Sequence, residues 1–500
     1  MIYLFQSDRE YDYDVRATAL AFFEREKIIE ITEEEWKKKR LLAEKEEEGS
    51  AIRFLSLVFE EEQKVRGLFA DACGKEVLEE ISCDYRNHET SRSIMGRFLY
   101  QLFSQYTGRS LPWGTLTGIR PSKIVMKWLE EGMEPEQILK RFQETYLADE
   151  QKAQLCLKVA QKEKTILDAH SYEEEYSLYI GIPFCPTTCL YCSFASFPVS
   201  KFADRMEPYL EALFQEMRFV AQTYRNRPLT TVYVGGGTPT ALDEPSLEKL
   251  MHMIHELFPM DKIREFTVEA GRPDSITEGK LRILREAGVD RISINPQTMN
   301  QQTLTLIGRN HTVEQTVWAY ELARKVGFTN INMDMITGLP GEDISHVEKT
   351  LRDIADLKPE SLTVHSLAIK RAAHLNIEME RYQSLVKGST NEMLRLTDEC
   401  AIQMGMEPYY MYRQKNIPGN LENIGYSLPG KECLYNILMM EEKQDIIACG
   451  AGASSKYLFS GNRIERAENV KNIDHYISRV DEMIERKNKY TGKEGENNGI

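Results

Sequence analysis

The chain has 500 residues, of which 42 % are hydrophobic and 9 % aromatic, and its formal net charge is -15. This length exceeds what a single hydrophobic core normally supports, so we expect two or three domains. The acidic balance argues against a nucleic-acid partner or an anionic membrane, because both would be repelled.

The amino-terminal residues and the cysteines indicate the compartment. The first residues lack a basic segment followed by an apolar one, and no apolar run is long enough to span a bilayer. The nine cysteines are odd in number, and three of them lie within eight residues. A secreted disulfide framework fits this badly, so we expect a cytoplasmic protein with no membrane span and with a metal site.

Residues 1–170 are predicted to form an accessory α/β domain. In Glu33–Gly49 the closely mixed charges predict a solvated helix with ion pairs four residues apart. Ile52–Phe59 is predicted as a strand and Ser91–Tyr106 as a helix. Thr117–Lys123 (T-G-I-R-P-S-K) predicts a tight turn that opens a further helix.

Residues 171–370 alternate between strand patterns and amphipathic helix patterns. The predicted strands are Tyr176–Ile182, Thr231–Val234, Phe266–Glu269, Arg291–Asn295, Asn330–Ile336 and Ser361–Ser366. The predicted helices include Pro208–Thr223, Ser246–Phe258, Thr277–Ala287, Val313–Val326 and His346–Leu357. Repeated βα units predict a parallel sheet, and this number of them suits a barrel or an open partial barrel.

Residues 371–486 are predicted to form a small α+β carboxy-terminal domain. It has a helix near Asn391–Met404 among short strands and glycine-rich turns. The polar segment Lys487–Ile500 is rich in glycine and asparagine, which predicts a disordered tail.

The strongest chemical signal is a loop with three cysteines directly after the first strand of the barrel. Tyr179–Cys192 reads Y-I-G-I-P-F-C-P-T-T-C-L-Y-C, with the spacing C-x3-C-x2-C. Cysteine thiolates hold iron–sulfur clusters, and three nearby cysteines leave one iron open for another ligand. A zinc site is the alternative, but the second pair of ligands that structural zinc usually needs is absent nearby.

A glycine-rich turn and a row of polar residues point to one face of the sheet. Gly235–Thr240 (G-G-G-T-P-T) follows a predicted strand and permits close backbone approach, but it matches neither a dinucleotide fingerprint nor a P-loop. Glu269, Gln297, Asp334 and His365 stand at the carboxyl ends of successive strands. These ends form the active-site face of α/β barrels, so we expect a single ligand-binding face.

With an aromatic residue before the last cysteine and the G-G-G-T-P-T turn, the sequence resembles the radical S-adenosylmethionine (SAM) superfamily. Within it, residues 175–460 resemble the oxygen-independent coproporphyrinogen III oxidase family. The whole chain, with T-G-I-R-P-S-K and Tyr409–Asn416 (Y-Y-M-Y-R-Q-K-N), looks like the HemZ-type branch. The resemblance implies a partial (β/α)6 radical SAM barrel with a [4Fe–4S] cluster and SAM as cofactors.

The resemblance also implies which residues hold the cofactors. Cys185, Cys189 and Cys192 would bind the cluster, and the amino and carboxylate groups of SAM would chelate its open iron. The residues expected around one or two SAM molecules are Tyr179, Tyr191, Gly236, Gly237, Thr238, Glu269, Gln297, Arg309, Asp334 and Ala368. No further catalytic residue is assigned. Arg120, Arg371 and Arg413 are candidates for pairing with the carboxylates of a tetrapyrrole substrate.

The implied reaction is the oxidative decarboxylation of coproporphyrinogen III to protoporphyrinogen IX in heme biosynthesis. An unidentified donor reduces the cluster, SAM is cleaved to a 5′-deoxyadenosyl radical, and this radical abstracts hydrogen from the β-carbon of a propionate. Loss of CO2 and one electron then leaves a vinyl group. The cofactor performs the difficult step, while the protein positions the substrate and excludes water.

Two positions depart from the pattern of the best-studied oxidases and keep a second function open. Ser193–Ser196 (S-F-A-S) lacks the further cysteine that those oxidases carry, and Gly181 stands where they have histidine. Related heme chaperones also lack that cysteine. The alternative is therefore a heme-binding chaperone on the same scaffold, with His365, His374 or Cys433 as candidate heme ligands.

Overall fold

The computed structural model describes residues 1–23, 26–43, 52–60, 63–86, 88–116, 120–368, 373–377, 382, 384–385, 388–414 and 421–491. Of these described residues, those within 1–158 and 413–422 form one compact unit, and those within 159–412 and 423–491 form a second. The three predicted domains, with limits near residues 170, 370 and 486, stay a prediction.

The first unit is built on a five-stranded sheet with the order β2-β1-β3-β4-β5. Its strands are β1 (Ile2–Gln6), β2 (Ile28–Glu30), β3 (Arg53–Glu60), β4 (Lys64–Asp71) and β5 (Glu76–Ser82). Its helices are α1 (Asp12–Phe22), α2 (Glu33–Ala43), α3 (His88–Thr107), α4 (Pro121–Glu130), α5 (Pro135–Tyr146) and the first half of α6 (Glu150–Asp168). Strand β1 pairs in parallel with both neighbours, whereas β3, β4 and β5 are antiparallel.

Aromatic side chains from this sheet and from α1 and α3 form a hydrophobic core. Phe22, Phe69 and Phe103 are fully buried in it, and the rings of Phe69 and Tyr106 meet edge to face at 4.7 Å. The predicted charged helix is confirmed as α2, which buries only Trp36 and Ala43. Residues 44–49 of that prediction, and residues 117–119 of the predicted turn, lie outside the described residues.

The second unit contains an eleven-stranded sheet with the order β14-β15-β13-β12-β11-β10-β9-β6-β16-β17-β18. Six of its strands run parallel to one another: β6 (Tyr176–Ile182), β9 (Leu229–Gly236), β10 (Glu265–Gly271), β11 (Arg291–Ile294), β12 (Ile331–Thr337) and β13 (Ser361–Ser366). The later strands are β14 (Glu407–Arg413), β15 (Glu422–Ser427), β16 (Asp445–Cys449), β17 (Ser454–Phe459) and β18 (Arg463–Glu468). The two-residue strands β7 (Phe184–Cys185) and β8 (Phe197–Pro198) form a separate ladder.

Six parallel strands from β6 to β13 are neighbours in chain order, as predicted for a partial barrel. The sheet stays open because β6 pairs onward with β16 and β13 pairs with β15. The six predicted strands agree with the observed ones within two residues at each end. The α/β class and the partial barrel are thus confirmed.

Helices of the second unit follow the strands, as right-handed parallel crossovers require. They are the second half of α6, α7 (Val199–Phe202), α8 (Met206–Thr223), α9 (Glu244–Leu257), α10 (Glu278–Glu286), α11 (Gln301–Leu306), α12 (Val313–Val326), α13 (Ile344–Leu357), α14 (His374–Ile377), α15 (Asn391–Gln403), α16 (Leu434–Glu441), α17 (Ile473–Ser478) and α18 (Val480–Asn488). Local chemistry sets their ends. Helix α12 begins with a capping box of Thr312 and Gln315 and ends where Gly327 turns left-handed at a φ of 105°.

A buried ion pair joins the last helix to α8. The carboxylate of Glu216 accepts hydrogen bonds from Lys487 Nζ (2.6 Å), Tyr476 Oη (2.6 Å), Asn469 Nδ2 (2.8 Å) and the backbone N–H of Gly450 (2.8 Å). Both charged side chains are almost completely buried.

The predicted start of the disordered tail at Lys487 is therefore wrong. Lys487 belongs to α18, and its partner Glu216 lies 271 residues away in the chain. No local sequence pattern reveals such a partner. Residues 492–500 of the predicted tail lie outside the described residues.

Among the described residues, every helix is too short or too polar to cross a membrane.

Replacing Lys487 by Met is expected to lower the free energy of unfolding by about 3–5 kcal/mol, because Glu216 would remain as a buried, unpaired carboxylate. Urea denaturation followed by circular dichroism measures the change. The control is Lys489→Met, which removes an exposed lysine two positions further along. Equal denaturation midpoints for the two variants would contradict the assignment.

Candidate functional site

The three cysteines lie on one loop at the carboxyl end of β6. The ladder of β7 and β8 closes this loop, with Cys185 opposite Pro198. A backbone hydrogen bond from Leu190 to the carbonyl of Ile307 (2.9 Å) ties its middle to the segment after β11. The loop is thus held at both ends and in its middle.

Cys185 and Cys189 are buried and have polar neighbours, whereas Cys192 is half-buried. Thr238 Oγ1 lies 3.6 Å from Cys185 Sγ, and Arg272 Nη1 lies 3.4 Å from Cys189 Sγ. Burial raises the pKa of Cys185, and it raises the pKa of Cys192 to about 11. The free thiols of Cys185 and Cys192 are therefore protonated at neutral pH, and a metal would have to displace their protons.

This donor set fits an iron–sulfur cluster. All described cysteines are free of disulfides. The hydroxyl of Thr238 and the guanidinium of Arg272 can stabilise negative charge on the sulfurs of Cys185 and Cys189. Within the described residues, no group of three His, Cys, Asp or Glu side chains converges as the ligands of a single ion do. A cluster of several irons spans a wider site, so three thiols spread along one loop are compatible with it.

The glycine-rich turn packs directly against the cysteine loop. Gly237 N–H donates to the carbonyl of Ile182 (2.8 Å) and Thr238 N–H to that of Phe184 (2.7 Å). A Cβ atom on Gly237 would lie 2.6 Å from the carbonyl oxygen of Phe184, which is too close for any side chain. Glycine at this position is what lets the turn bring Thr238 to Cys185.

Glu269 stands beside this turn against a stack of tyrosines. Tyr233 Oη donates to Glu269 Oε1 (2.6 Å), and its ring stacks on those of Tyr179 (6.1 Å) and Tyr435 (4.5 Å). Burial raises the pKa of Glu269 to about 7, and the nearby charge of Asp334 adds to the effect. The carboxyl group therefore gains or loses its proton near neutral pH.

Asp334 and His365 lie together on the same edge of the sheet. Asn332 Nδ2 donates to Asp334 Oδ1 (2.6 Å), and His365 Nε2 lies 3.9 Å from Asp334 Oδ2. Burial opposes the ionisation of Asp334, but His365 and Asn332 outweigh it and hold the pKa of Asp334 below its ordinary value. Tyr412 Oη approaches the other ring nitrogen of His365 at 3.4 Å.

Two buried amide side chains have oxygens without a protein partner among the described residues. These atoms are Asn295 Oδ1 and Gln297 Oε1. Gln297 also has a left-handed backbone at a φ of 66°, while its N–H donates to the carbonyl of Asp334 (2.9 Å). A buried acceptor left unpaired costs about 1–3 kcal/mol, so this region fits a bound polar ligand such as SAM.

The remaining predicted cofactor residues surround the cysteine loop. Arg309 is buried, and its Nη1 donates to the carbonyl of Asn295. Tyr191 is half-buried on the loop itself, and desolvation raises its pKa. Ala368 follows β13 and is half-buried.

Sequence reasoning missed three residues of this site: Arg272, Tyr233 and Tyr435. Arg272 belongs to the run E-A-G-R-P that begins with Glu269, and a charged residue directly after a strand end was a usable signal. Tyr233 occupies the position two before the glycine turn, where alternation along β9 gives it the same side as Gly235. Tyr435 comes from α16, and its approach depends on tertiary packing alone.

Some predicted ligands of the substrate or of heme do not fit those roles. Arg413 is buried, donates to the carbonyl of Leu116 (3.0 Å) and lies 5.1 Å above the ring of Trp113. Cys433 is fully buried, and its thiol contacts Glu265 Oε1 (3.4 Å) at the start of β10, the opposite end of the sheet from the cysteine loop. Cys433 is therefore wrong as a heme ligand on this face.

Three further candidates give less information. Arg120 is half-buried at the start of α4. Arg371 and the side chain of His374 lie outside the described residues.

Comparison with known families identifies the class of protein. The model of the radical SAM superfamily matches residues 179–354, which contain the cysteine loop, the glycine turn and Glu269. Members of this superfamily use a [4Fe–4S] cluster and SAM, so the two predicted cofactors are confirmed.

Known relatives narrow the class to a family. The chain is 40 % identical over 418 residues to the oxygen-independent coproporphyrinogen-III oxidase-like protein HemZ of Bacillus subtilis, covering 82 % of this chain and 83 % of that protein. This chain belongs to the oxygen-independent coproporphyrinogen III oxidase family of radical SAM proteins, in its HemZ-type branch. It is also 32 % identical to the heme chaperone HemW of Bacillus subtilis, over 61 % of this chain and 76 % of that one.

A solved structure shares the fold. Coproporphyrinogen III oxidase (HemN) from Escherichia coli aligns over 67 % of this chain and 73 % of its own, with a TM-score of 0.50 and 23 % identity.

Single Cys→Ala changes at positions 185, 189 and 192 are each expected to abolish or strongly reduce iron binding, because a cluster needs all three thiolates. Iron and sulfide are measured after anaerobic reconstitution, and the intact protein should contain about four irons per chain. The matched control is Cys400→Ala, which removes a half-buried thiol outside the loop. Full iron content in any of the three loop variants would refute that ligand.

Glu269→Gln is expected to stabilise the protein relative to wild type above neutral pH and much less in mild acid. The pKa of Glu269 is about 7 in the folded protein, against 4.5 for an ordinary glutamate. Between these values the folded protein keeps a proton that the unfolded chain releases, so wild-type stability falls as pH rises through this window. Glu269→Gln has no carboxylate at this position, so its stability should not fall in this way as the pH rises.

Melting temperatures at about pH 5 and about pH 8 measure the effect of pH on the gap between variant and wild type. The gap should grow towards the higher pH. Glu286→Gln, at an exposed position of α10, serves as the control and should show no such growth. A gap that is independent of pH would show that Glu269 ionises like an exposed glutamate.

Proposed function

We propose that this chain is a radical SAM enzyme that oxidatively decarboxylates propionate side chains of coproporphyrinogen III to vinyl groups without oxygen. One observation carries the proposal: the cysteine loop and the glycine turn interlock through Thr238 and Cys185 on the sheet edge that also bears Glu269 and Asp334. The HemZ relative, whose name describes it as coproporphyrinogen-III oxidase-like, supports the same reading.

Cys185, Cys189 and Cys192 would hold the cluster through their thiolates. The bound cluster and SAM together would supply a carbon radical that abstracts hydrogen from the substrate. The protein holds the loop rigidly, since Leu190 bonds both to Ile307 (2.9 Å) and to Leu375 (2.8 Å) through its backbone. Rigid ligands limit the rearrangement that accompanies electron transfer.

The turn Gly235–Thr240 and Glu269 would bind the amino-acid part of SAM. The glycines would let the ligand approach the backbone, and the carboxylate of Glu269 would pair with its ammonium group. A cationic ligand stabilises the ionised carboxylate, so SAM would lower the raised pKa of Glu269 towards its ordinary range.

An apolar cluster next to the loop would exclude water from the reaction. It consists of Leu190, Ile307, Ile336, Leu339, Leu367, Leu375 and Tyr382, with Tyr191 packed against it. Water exclusion protects a reactive radical from side reactions.

A heme chaperone on the same scaffold is the second candidate, and two observations favour it. Ser193 follows the last cluster cysteine, where the best-studied oxidases continue towards a further cysteine. The HemW relative carries the name of a heme chaperone. On this reading, His365 at the same sheet edge is the candidate heme ligand.

Anaerobic turnover separates the two functions. Reduced protein with SAM and coproporphyrinogen III is expected to form the mono- and divinyl products, which chromatography detects, while Cys189→Ala should form none. Cys73→Ala, at an exposed position in the first unit, is the control and should keep full activity. Release of methionine without any vinyl product, together with stoichiometric heme binding that His365→Ala abolishes, would replace the oxidase by the chaperone.

A further inference from the structure

Arg272 makes a contact with the cysteine loop that no cluster-binding role requires. It follows β10 directly, and only 3 % of it is exposed. Its Nη1 lies 3.4 Å from Cys189 Sγ, within hydrogen-bond distance for a sulfur acceptor.

The guanidinium is held in this orientation by two partners. Asp274 pairs with it in a bidentate manner, with Nε to Oδ1 at 2.9 Å and Nη2 to Oδ2 at 2.7 Å. On the loop, Thr187 accepts from Nη2 through its hydroxyl (3.1 Å) and from Nη1 through its carbonyl (3.4 Å). A planar fork fixed on both edges keeps the remaining N–H aimed at sulfur.

The charged side chains around Cys189 carry a net positive charge. Arg309 is a second buried guanidinium. Desolvation lowers its pKa, but the interactions with Tyr191 and Cys189 outweigh this effect and raise the pKa, so Arg309 stays charged. His311 is fully buried 4.0 Å from Asp274, and burial together with Arg309 lowers its pKa to about 3, so it is neutral. Two cations and one carboxylate therefore surround this sulfur.

We propose that Arg272 is a positioning residue that raises the reduction potential of the cluster through its hydrogen bond and charge at Cys189 Sγ. Reduction adds one negative charge to the cluster, and a cation that donates to a ligand sulfur stabilises the reduced state more than the oxidised state. The proposal rests on the proposed ligand role of Cys189. Asp274 opposes the same effect, because its negative charge lies close to the guanidinium.

The expected shifts of the midpoint potential have opposite signs in R272Q and D274N, and this distinguishes the proposed role from mere support of the loop. R272Q removes the cation and should shift the midpoint potential of the cluster downward, with one-electron reduction at least tenfold less favourable, which corresponds to about 59 mV. D274N removes the carboxylate but leaves the cation and should shift the potential upward. R272K keeps the charge without the fork and should fall between R272Q and wild type.

The experiment is a redox titration of the anaerobically reconstituted full-length proteins, followed by electron paramagnetic resonance, after iron and sulfide have been measured. Arg282→Gln, at an exposed arginine of α10, is the control and should leave the potential unchanged. An unchanged potential in R272Q at full iron content, or shifts of the same sign in R272Q and D274N, would overturn the proposal. Loss of iron in both Arg272 variants would also overturn it and assign Arg272 to support of the loop.

These outcomes stay separate from the proposed function. If wild-type protein bound no cluster, the radical SAM proposal itself would fail. If wild type and R272Q both carried a cluster of the same potential, only the inference about Arg272 would fail.

Discussion

Parallel pairing of β6 with β9 is the constraint on which the site depends. The register sets Gly181 beside Gly235 and Ile182 beside Gly236, so the cysteine loop and the glycine turn leave the sheet at the same edge. Parallel strands all point the same way, and Glu269 near the end of β10 and Arg272 directly after it therefore arrive at that edge too. The two-residue ladder of β7 and β8 then returns the loop to the sheet and leaves its thiols beside the turn. Without this one pairing, the cysteine loop and the glycine turn would not lie side by side.

The site contains polar groups that weaken the isolated fold. Asn295 and Gln297 have buried oxygens without partners among the described residues, and Gln297 has a strained backbone. Desolvation raises the pKa of Glu269 more than the hydrogen bond from Tyr233 lowers it. Unfavourable features of this kind cluster where a ligand supplies the missing partners, and strongly paired groups elsewhere offset them. The buried pair of Glu216 and Lys487 is one such group.

The prediction from sequence succeeded where the signal was local. Hydrophobic alternation and glycine junctions marked the six parallel strands within two residues, because strand and helix periods are short-range properties. The cysteine spacing was equally local. The prediction from sequence failed at Lys487. Its polar neighbours in the chain predict solvent exposure, but its ammonium group reaches the carboxylate of Glu216 on a distant helix. It also failed at Cys433, where nothing in the neighbouring sequence reveals that the thiol is buried and contacts Glu265.

The sequence alone determined the class of chemistry: three cysteines on one loop and a glycine turn after the next strand specify a metal-binding edge of a parallel α/β sheet. Only the tertiary structure decided which other groups meet at that edge. Arg272 at Cys189, the tyrosine stack on Glu269 and the pairing of Asp334 with His365 all join segments that are far apart in the chain. The reason is physical, since spacing along a strand fixes which side a residue faces, whereas contact across strands depends on register, crossover and packing.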